Sequence, residues 1–232
     1  QASIVVLKSD YKIPDILLAD LHTFCQHAER QIDQIRRRAI LGETIPHAEK
    51  VFSLFEPHTE WISKGKAGVP VELGLRVCIM EDSHGFILHS QVMQKTTDDK
   101  VAVPMVEATK AQFPSFNACS FDKGFRNPDN QKELKNHLDH VVLPKKGKLS
   151  KADQEREYAP EFMHAKKQHS AVESAINALE VHGLDKCPDH GIDAFERYVA
   201  LAVLSRNIQK LGTIKRDAER QRLLIEKLKQ AA

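Results

Sequence analysis

The chain has 232 residues, a length that fits one large domain or one and a half. Because 41% of the residues are hydrophobic, the chain can bury an ordinary core, which excludes wholesale disorder. Its formal net charge of +2 is too small to indicate a nucleic-acid partner, so local clusters of cations must do so. No apolar run approaches the roughly 20 residues of a membrane span. The four cysteines form no CxxC pair and are expected to be free, buried thiols in a reducing compartment.

The first predicted element is a helix from Ile13 to Leu41, because apolar side chains recur there at steps of three and four residues. Pro14 suits its first turn and Gly42 its end. A strand-rich block is predicted next, with a short apolar run over Lys50–Phe55 and an alternating strand over Val71–Met80.

Phe86–Met93 is predicted to return as a second strand after the turn residues Ser83-His84-Gly85. Downstream, helices are predicted over Val101–Phe113 and Asn130–Leu138, and strands over Phe116–Phe121 and Val141–Leu143. A meander followed by β-α-β units indicates a mixed sheet with helices on its faces.

The C-terminal third is predicted to be helical after a mobile segment, the lysine loop, defined as Pro144–Asp153. Helices are expected over Glu161–Leu179 and Ile192–Leu211, with Gly212 ending the second. A separate charged, amphipathic helix is predicted over Thr213–Gln230.

Two carboxylates stand out. Asp122 directly follows the strand predicted to end at Phe121, and a carboxylate there faces the crevice where sheet proteins bind ligands. Glu173 lies within a predicted helix beside small residues. From the residues alone, the alternatives are that Asp122 serves a turn and that Glu173 lies on an exposed helix face.

Lysines cluster in two loops, at Lys64 and Lys66 around Gly65, and in the lysine loop. Lysines in such loops bind phosphates as point charges, without sequence preference and with a strong dependence on salt. A solubilising role is the alternative.

Six motifs occur in order between about Ile13 and Leu211, and together they resemble a bacterial insertion-sequence DDE transposase with an RNase H-like catalytic domain. The motifs are Lys64-Gly65-Lys66-Ala67-Gly68, Val71-Glu72-Leu73-Gly74, Ser120-Phe121-Asp122-Lys123-Gly124-Phe125, Leu143-Pro144-Lys145-Lys146-Gly147-Lys148, His169-Ser170-Ala171-Val172-Glu173-Ser174-Ala175-Ile176-Asn177 and His182-Gly183-Leu184-Asp185-Lys186-Cys187. The resemblance implies an α/β, RNase H-like mixed sheet flanked by helices. It divides the chain into a helical insertion remnant (1–45), a partial catalytic domain (46–211) and a charged C-terminal helix (212–232).

The resemblance implies that Asp122 and Glu173 are metal ligands for Mg²⁺ or Mn²⁺, and that they are the second and third acids of the catalytic triad. The first Asp belongs on an opening strand that we expect before residue 1, so the 232 residues alone are expected to be inactive. Asp10 is the weaker candidate for that position.

The residues expected to contact DNA are Lys64, Lys66, Lys145, Lys146, Lys148, Lys166, Lys167 and His169. Relatives often carry an Arg one turn before the Glu and a Lys two turns after it. Here His169 and Glu180 occupy those positions, and Lys166 and Lys167 are expected to take over part of that role.

The expected function is metal-dependent DNA cleavage and strand transfer at transposon ends. The implied partners are transposon-end and target DNA and a second copy of the protein in the synaptic complex, at the nucleoid in the bacterial cytoplasm. Two alternatives stay open: an RNase H-like nuclease without strand transfer, and a non-catalytic DNA-binding remnant.

Overall fold

A computed structural model of the chain describes residues 14–63, 70–168 and 170–231 and has a mixed α/β architecture. The chain divides into two compact units, Gln1–Leu75 and Arg76–Ala232. None of the helices in the described part is long and apolar enough to cross a membrane.

The first unit contains helix α1, Asp15–Ile35, which continues as a wider π-helical turn over Arg36–Ile40. The predicted N-terminal helix is therefore confirmed over its described part. Gly42 follows with φ of +68°, the left-handed conformation in which glycine commonly ends a helix.

The segment over Lys50–Phe55 forms no strand, so that prediction is wrong. The reason is a side chain that replaces a neighbouring strand. The Gln34 amide accepts the Val51 N–H at 2.5 Å and donates to the Val51 carbonyl at 3.2 Å, so the segment is held against α1.

The predicted strand Val71–Met80 is two strands that pair with different partners. β2, Val71–Gly74, pairs antiparallel with β1, Glu60–Ser63, a strand that the sequence analysis missed. β2 ends at Gly74, and β3 begins at Arg76 in the second unit. A glycine inside an alternating pattern marked this break.

β3, Arg76–Glu81, and β4, Ile87–Met93, form the predicted antiparallel hairpin. Asp82 fixes its turn, because its Oδ1 accepts the backbone N–H groups of His84 at 2.9 Å and Phe86 at 2.8 Å.

A β-α-β unit follows helix α2, Asp98–Gln112. β5, Ala118–Ser120, lies parallel to β6, His140–Val142, and helix α3, Pro128–His137, connects them. β5 is shorter than predicted and β6 begins one residue earlier than predicted, although the Phe121 N–H still donates to the Val142 carbonyl at 2.8 Å. The β3–β4 hairpin, α2 and the β-α-β unit share one hydrophobic core. Its buried residues include Met80, Met93, Met105, Val106, Phe121, Leu134, Leu138 and Leu143.

The described residues after β6 are mainly helical: α4 spans Lys151–Glu157, α5 Pro160–Gln168, α6 Ser170–Leu179, which continues as a π-helical turn over Glu180–Leu184, and α7 Ile192–Ala231. The expected end of a helix at Gly212 is wrong, since α7 passes through it. One glycine costs only about 1 kcal/mol relative to alanine, and good helix formers precede it (Gln209, Lys210 and Leu211) and resume at Lys215 and Arg216.

The Asn207 side chain fastens α7 to the sheet edge, donating to the Ile87 carbonyl and accepting the Ile87 N–H, both at 2.9 Å. The described strands form three two-stranded sheets. The predicted α/β class is confirmed, but the described strands do not join into the single mixed sheet that was expected.

Candidate functional site

Asp122 lies immediately beyond the carboxyl end of β5, with an exposed side chain. It caps the short 3-10 turn Lys123–Phe125, since its Oδ1 accepts the Lys123 N–H at 2.6 Å. The cap fixes the direction of the carboxylate. No described residue contacts the second oxygen, Oδ2, in a hydrogen bond or ion pair.

Gly124 is required in this turn by a close approach, not by its backbone conformation. A Cβ at this position would lie 2.4 Å from Oδ2 of Asp98, at the start of α2. Asp98 is itself held by the Arg76 guanidinium, whose Nη1 donates to Oδ1 at 2.9 Å. The turn that carries Asp122 therefore rests against an ion pair.

Two asparagines hold the other side of the turn. The side-chain Oδ1 of Asn127 caps α3 by accepting the backbone N–H of Asn130 at 2.7 Å. The Asn130 amide, which is 7% exposed, donates to the carbonyls of Phe125 at 2.8 Å and Asp99 at 2.5 Å. The turn is thus tied to the N-terminal end of α2.

The lysine loop follows β6 at the same edge of the sheet. The prediction of a loop as far as Asp153 is wrong for its last three residues, which begin α4. Within the loop, Nζ of Lys145 lies 2.6 Å from Oδ2 of Asp153. The backbone N–H of Lys145 also donates to Oε1 of Glu157 at 2.8 Å. The irregular part ends at Ser150, which caps α4 by accepting the Asp153 N–H at 3.2 Å.

Arg126, four residues after Asp122, reaches the same two carboxylates. Its guanidinium lies 3.3 Å from Asp153 and 3.6 Å from Glu157, both of which are buried. Hydrogen bonds from Lys145, Ser150 and Arg126 hold the pKa of the Asp153 carboxyl well below its usual range. This cluster joins the segments that leave β5 and β6.

The remaining predicted site residues are placed as follows. Lys146 and Lys148 are exposed in the lysine loop, and Lys166 and Lys167 are exposed in the last turn of α5. Glu173 is the fourth residue of α6, and its side chain lies outside what the structure describes. Asp10, Lys64, Lys66 and His169 lie outside the described residues.

The described side chains include no group of three or more histidines, cysteines or acids that could hold a metal ion. Because the Glu173 side chain is not among them, the expected pairing of Asp122 with Glu173 stays a prediction. Asp122 fits a magnesium site by its donor chemistry, since Mg²⁺ is bound through one or two carboxylates together with water and phosphate oxygens.

Sequence reasoning missed Arg126, Asp153 and Glu157. Two signals were present: Ser150 stands three residues before Asp153 at a helix start, and the two acids are four residues apart on one helix face. Their cationic partner Arg126 is 27 residues from Asp153, and local patterns do not reveal a pairing at that distance.

Comparison of the chain with protein-family models, with curated proteins and with solved structures finds no match.

Proposed function

We propose that the chain belongs to a DDE transposase, and that in the intact protein it carries part of an RNase H-like catalytic domain for metal-dependent DNA cleavage and strand transfer. The observation that carries this proposal is the exposed carboxylate of Asp122 at the carboxyl end of β5, beside a lysine loop that follows the neighbouring strand.

The parallel pairing of β5 and β6 supports this juxtaposition. The carboxyl ends of parallel strands meet at one edge of a sheet, so Asp122 and the lysine loop leave from the same edge. Ligand sites of α/β sheets lie at such edges. A carboxylate for a metal and lysines for phosphates are the groups that phosphodiester chemistry requires.

The order of elements agrees with an RNase H-like domain. An antiparallel hairpin, β3–β4, precedes a parallel β5-α3-β6 unit, and helices follow. We propose that the Glu173 position on α6 supplies the second carboxylate to the same crevice.

The chemistry is divided between the metal and this chain. Bound Mg²⁺ would activate the attacking oxygen and stabilise the leaving oxygen of an in-line displacement. Asp122 and Glu173 would hold it. Exposed lysines, including Lys146 and Lys148, would bind the flanking phosphates and orient the scissile bond.

A strand-transfer assay tests the proposal. The full-length protein is incubated in Mg²⁺ with pre-cut transposon ends that carry a free 3′-hydroxyl and with a supercoiled target plasmid. We expect the ends to be joined covalently to the plasmid. A matched substrate with a 3′-deoxy end is the control and should give no joined product.

Two outcomes would overturn the proposal. Cutting of an uncut end without any joining of pre-cut ends would identify a nuclease. Binding of DNA with neither cutting nor joining would identify a non-catalytic DNA-binding protein.

A further inference from the structure

Two buried carboxylates on α4 hold both segments that leave the parallel strands. Asp153 and Glu157 are 8% and 6% exposed and lie one helical turn apart. Arg126 comes from the segment after β5, and Lys145 from the segment after β6. Charged groups this far from water must be paired to be tolerated.

Every carboxylate oxygen of Asp153 has a partner. Oδ2 accepts from Lys145 Nζ at 2.6 Å and from Ser150 Oγ at 2.7 Å. Oδ1 lies 3.3 Å from the Arg126 guanidinium and 3.2 Å from that of Arg156. Lys145 is thus part of a closed set of hydrogen bonds.

Glu157 holds the backbone of the same loop. Its Oε1 accepts the Lys145 N–H at 2.8 Å and also accepts from Arg156 at 3.1 Å. This anchor uses the main chain, so it remains when the Lys145 side chain is removed. Beyond it, Lys146 and Lys148 are exposed.

We propose that Asp153 and Glu157 are positioning residues that hold the lysine loop beside Asp122, and that Lys145 belongs to this anchor and not to the DNA contact. Phosphate contact then falls to Lys146 and Lys148. The inference rests on the proposed function for its DNA partner, whereas the anchoring itself does not. A phosphate would compete with Asp153 for the Lys145 ammonium, and the buried Asp153 carboxylate favours the existing ion pair.

The first test compares two substitutions that remove the same charge, Lys145→Ala and Lys146→Ala. The dissociation constant for duplex DNA is measured against salt concentration for the full-length protein. Each lost phosphate contact lowers the slope of log K against log salt by about 0.9. We expect that loss for Lys146→Ala and an unchanged slope for Lys145→Ala. A loss of similar size for Lys145→Ala would overturn the assignment.

The second test keeps the Lys145 side chain and removes the charge of its partner, Asp153. Asp153→Asn keeps the shape and removes the charge, and Glu155→Gln makes the same change at an exposed site on α4. We expect Asp153→Asn to bind DNA with a slope steeper by up to about 0.9 while cleaving it more slowly, and Asp153→Glu to restore both. Wild-type slope and cleavage in Asp153→Asn would contradict the proposal.

A third measurement needs no DNA and separates failure of the anchor from failure of the proposed function. Hydrogen exchange of residues 143–150 should be faster in Glu157→Ala than in Glu155→Ala. Amides of the β3–β4 hairpin, measured in the same sample, report whether the variant is folded. Unchanged exchange in the loop of a folded Glu157→Ala protein would overturn the anchor, even if DNA binding is never observed.

Discussion

Gly124→Ala is expected to destabilise the protein through one contact. The new Cβ would lie 2.4 Å from Oδ2 of Asp98, whereas ordinary contacts begin at 3.4 Å, so one group must retreat by about 1 Å. Gly124 has no positive φ, so alanine meets no backbone strain there. The whole penalty should therefore come from Asp98.

The size of the destabilisation follows from the interactions that Asp98 loses when it moves away from the new Cβ. Its ion pair with Arg76 joins side chains that are 37% and 34% exposed, which limits its value to about 1 kcal/mol. Its charge in the first turn of α2 contributes about 0.3–1 kcal/mol. Alanine offsets about 0.4–1 kcal/mol by reducing the entropy of the unfolded chain. We expect a net loss of about 1 kcal/mol.

A double-mutant cycle in urea, followed by circular dichroism at 222 nm, isolates the contact. In an Asp98→Ala background the clash is gone, so Gly124→Ala should be neutral or stabilising by up to about 1 kcal/mol. The coupling energy between the two positions should then be about 1–2 kcal/mol. Equal destabilisation by Gly124→Ala in both backgrounds would refute this reasoning.

The same substitution should have the opposite sign at Gly212, where a Cβ meets nothing within 4 Å inside α7; we expect Gly212→Ala to stabilise by about 0.5–1 kcal/mol, and a lowered melting temperature would contradict this. Burial raises the pKa of the Cys78 and Cys119 thiols to about 12, so iodoacetamide at pH 8 should modify them only after unfolding, as peptide mass mapping would show. Lys145 is the main cause of the depressed pKa of Asp153, which contributes stability that is present above the unfolded pKa of about 3.9 and is lost progressively as pH falls from there through the folded pKa. The stability gap between wild type and Asp153→Asn should therefore begin to narrow below about pH 4 in urea titrations and go on narrowing as pH falls, and a gap independent of pH would contradict this.

Sequence patterns correctly predicted the elements that are determined by residues close together in the chain. The hairpin turn at Ser83-His84-Gly85, the N-terminal helix and the position of Asp122 after a short strand depend on neighbours within a few residues, and each is found. Asp122 was also predicted as a metal ligand, and that role stays a prediction.

The failures have long-range causes. Gln34, 17 residues away, bonds the backbone N–H and carbonyl of Val51, so these groups pair with α1 and not with a strand. Asp153 and Arg126 are 27 residues apart, so neither could be identified as part of one cluster. The predicted helix end at Gly212 failed for another reason. The preference of a single glycine for ending a helix is weak, and the surrounding residues of α7 override it.

The central claim is that Asp122 and Glu173 carry the cleavage chemistry. It is tested most directly by the Mg²⁺-dependent cleavage rate of the full-length protein with Asp122→Asn or Glu173→Gln, against Asp129→Asn, the same change at an exposed position in the first turn of α3. We predict that each of the first two substitutions lowers cleavage by at least about 100-fold, the scale expected when one preorganised electrostatic group is lost, while DNA affinity and the Asp129→Asn rate stay near wild type. Cleavage by Asp122→Asn at the rate of Asp129→Asn would contradict the account.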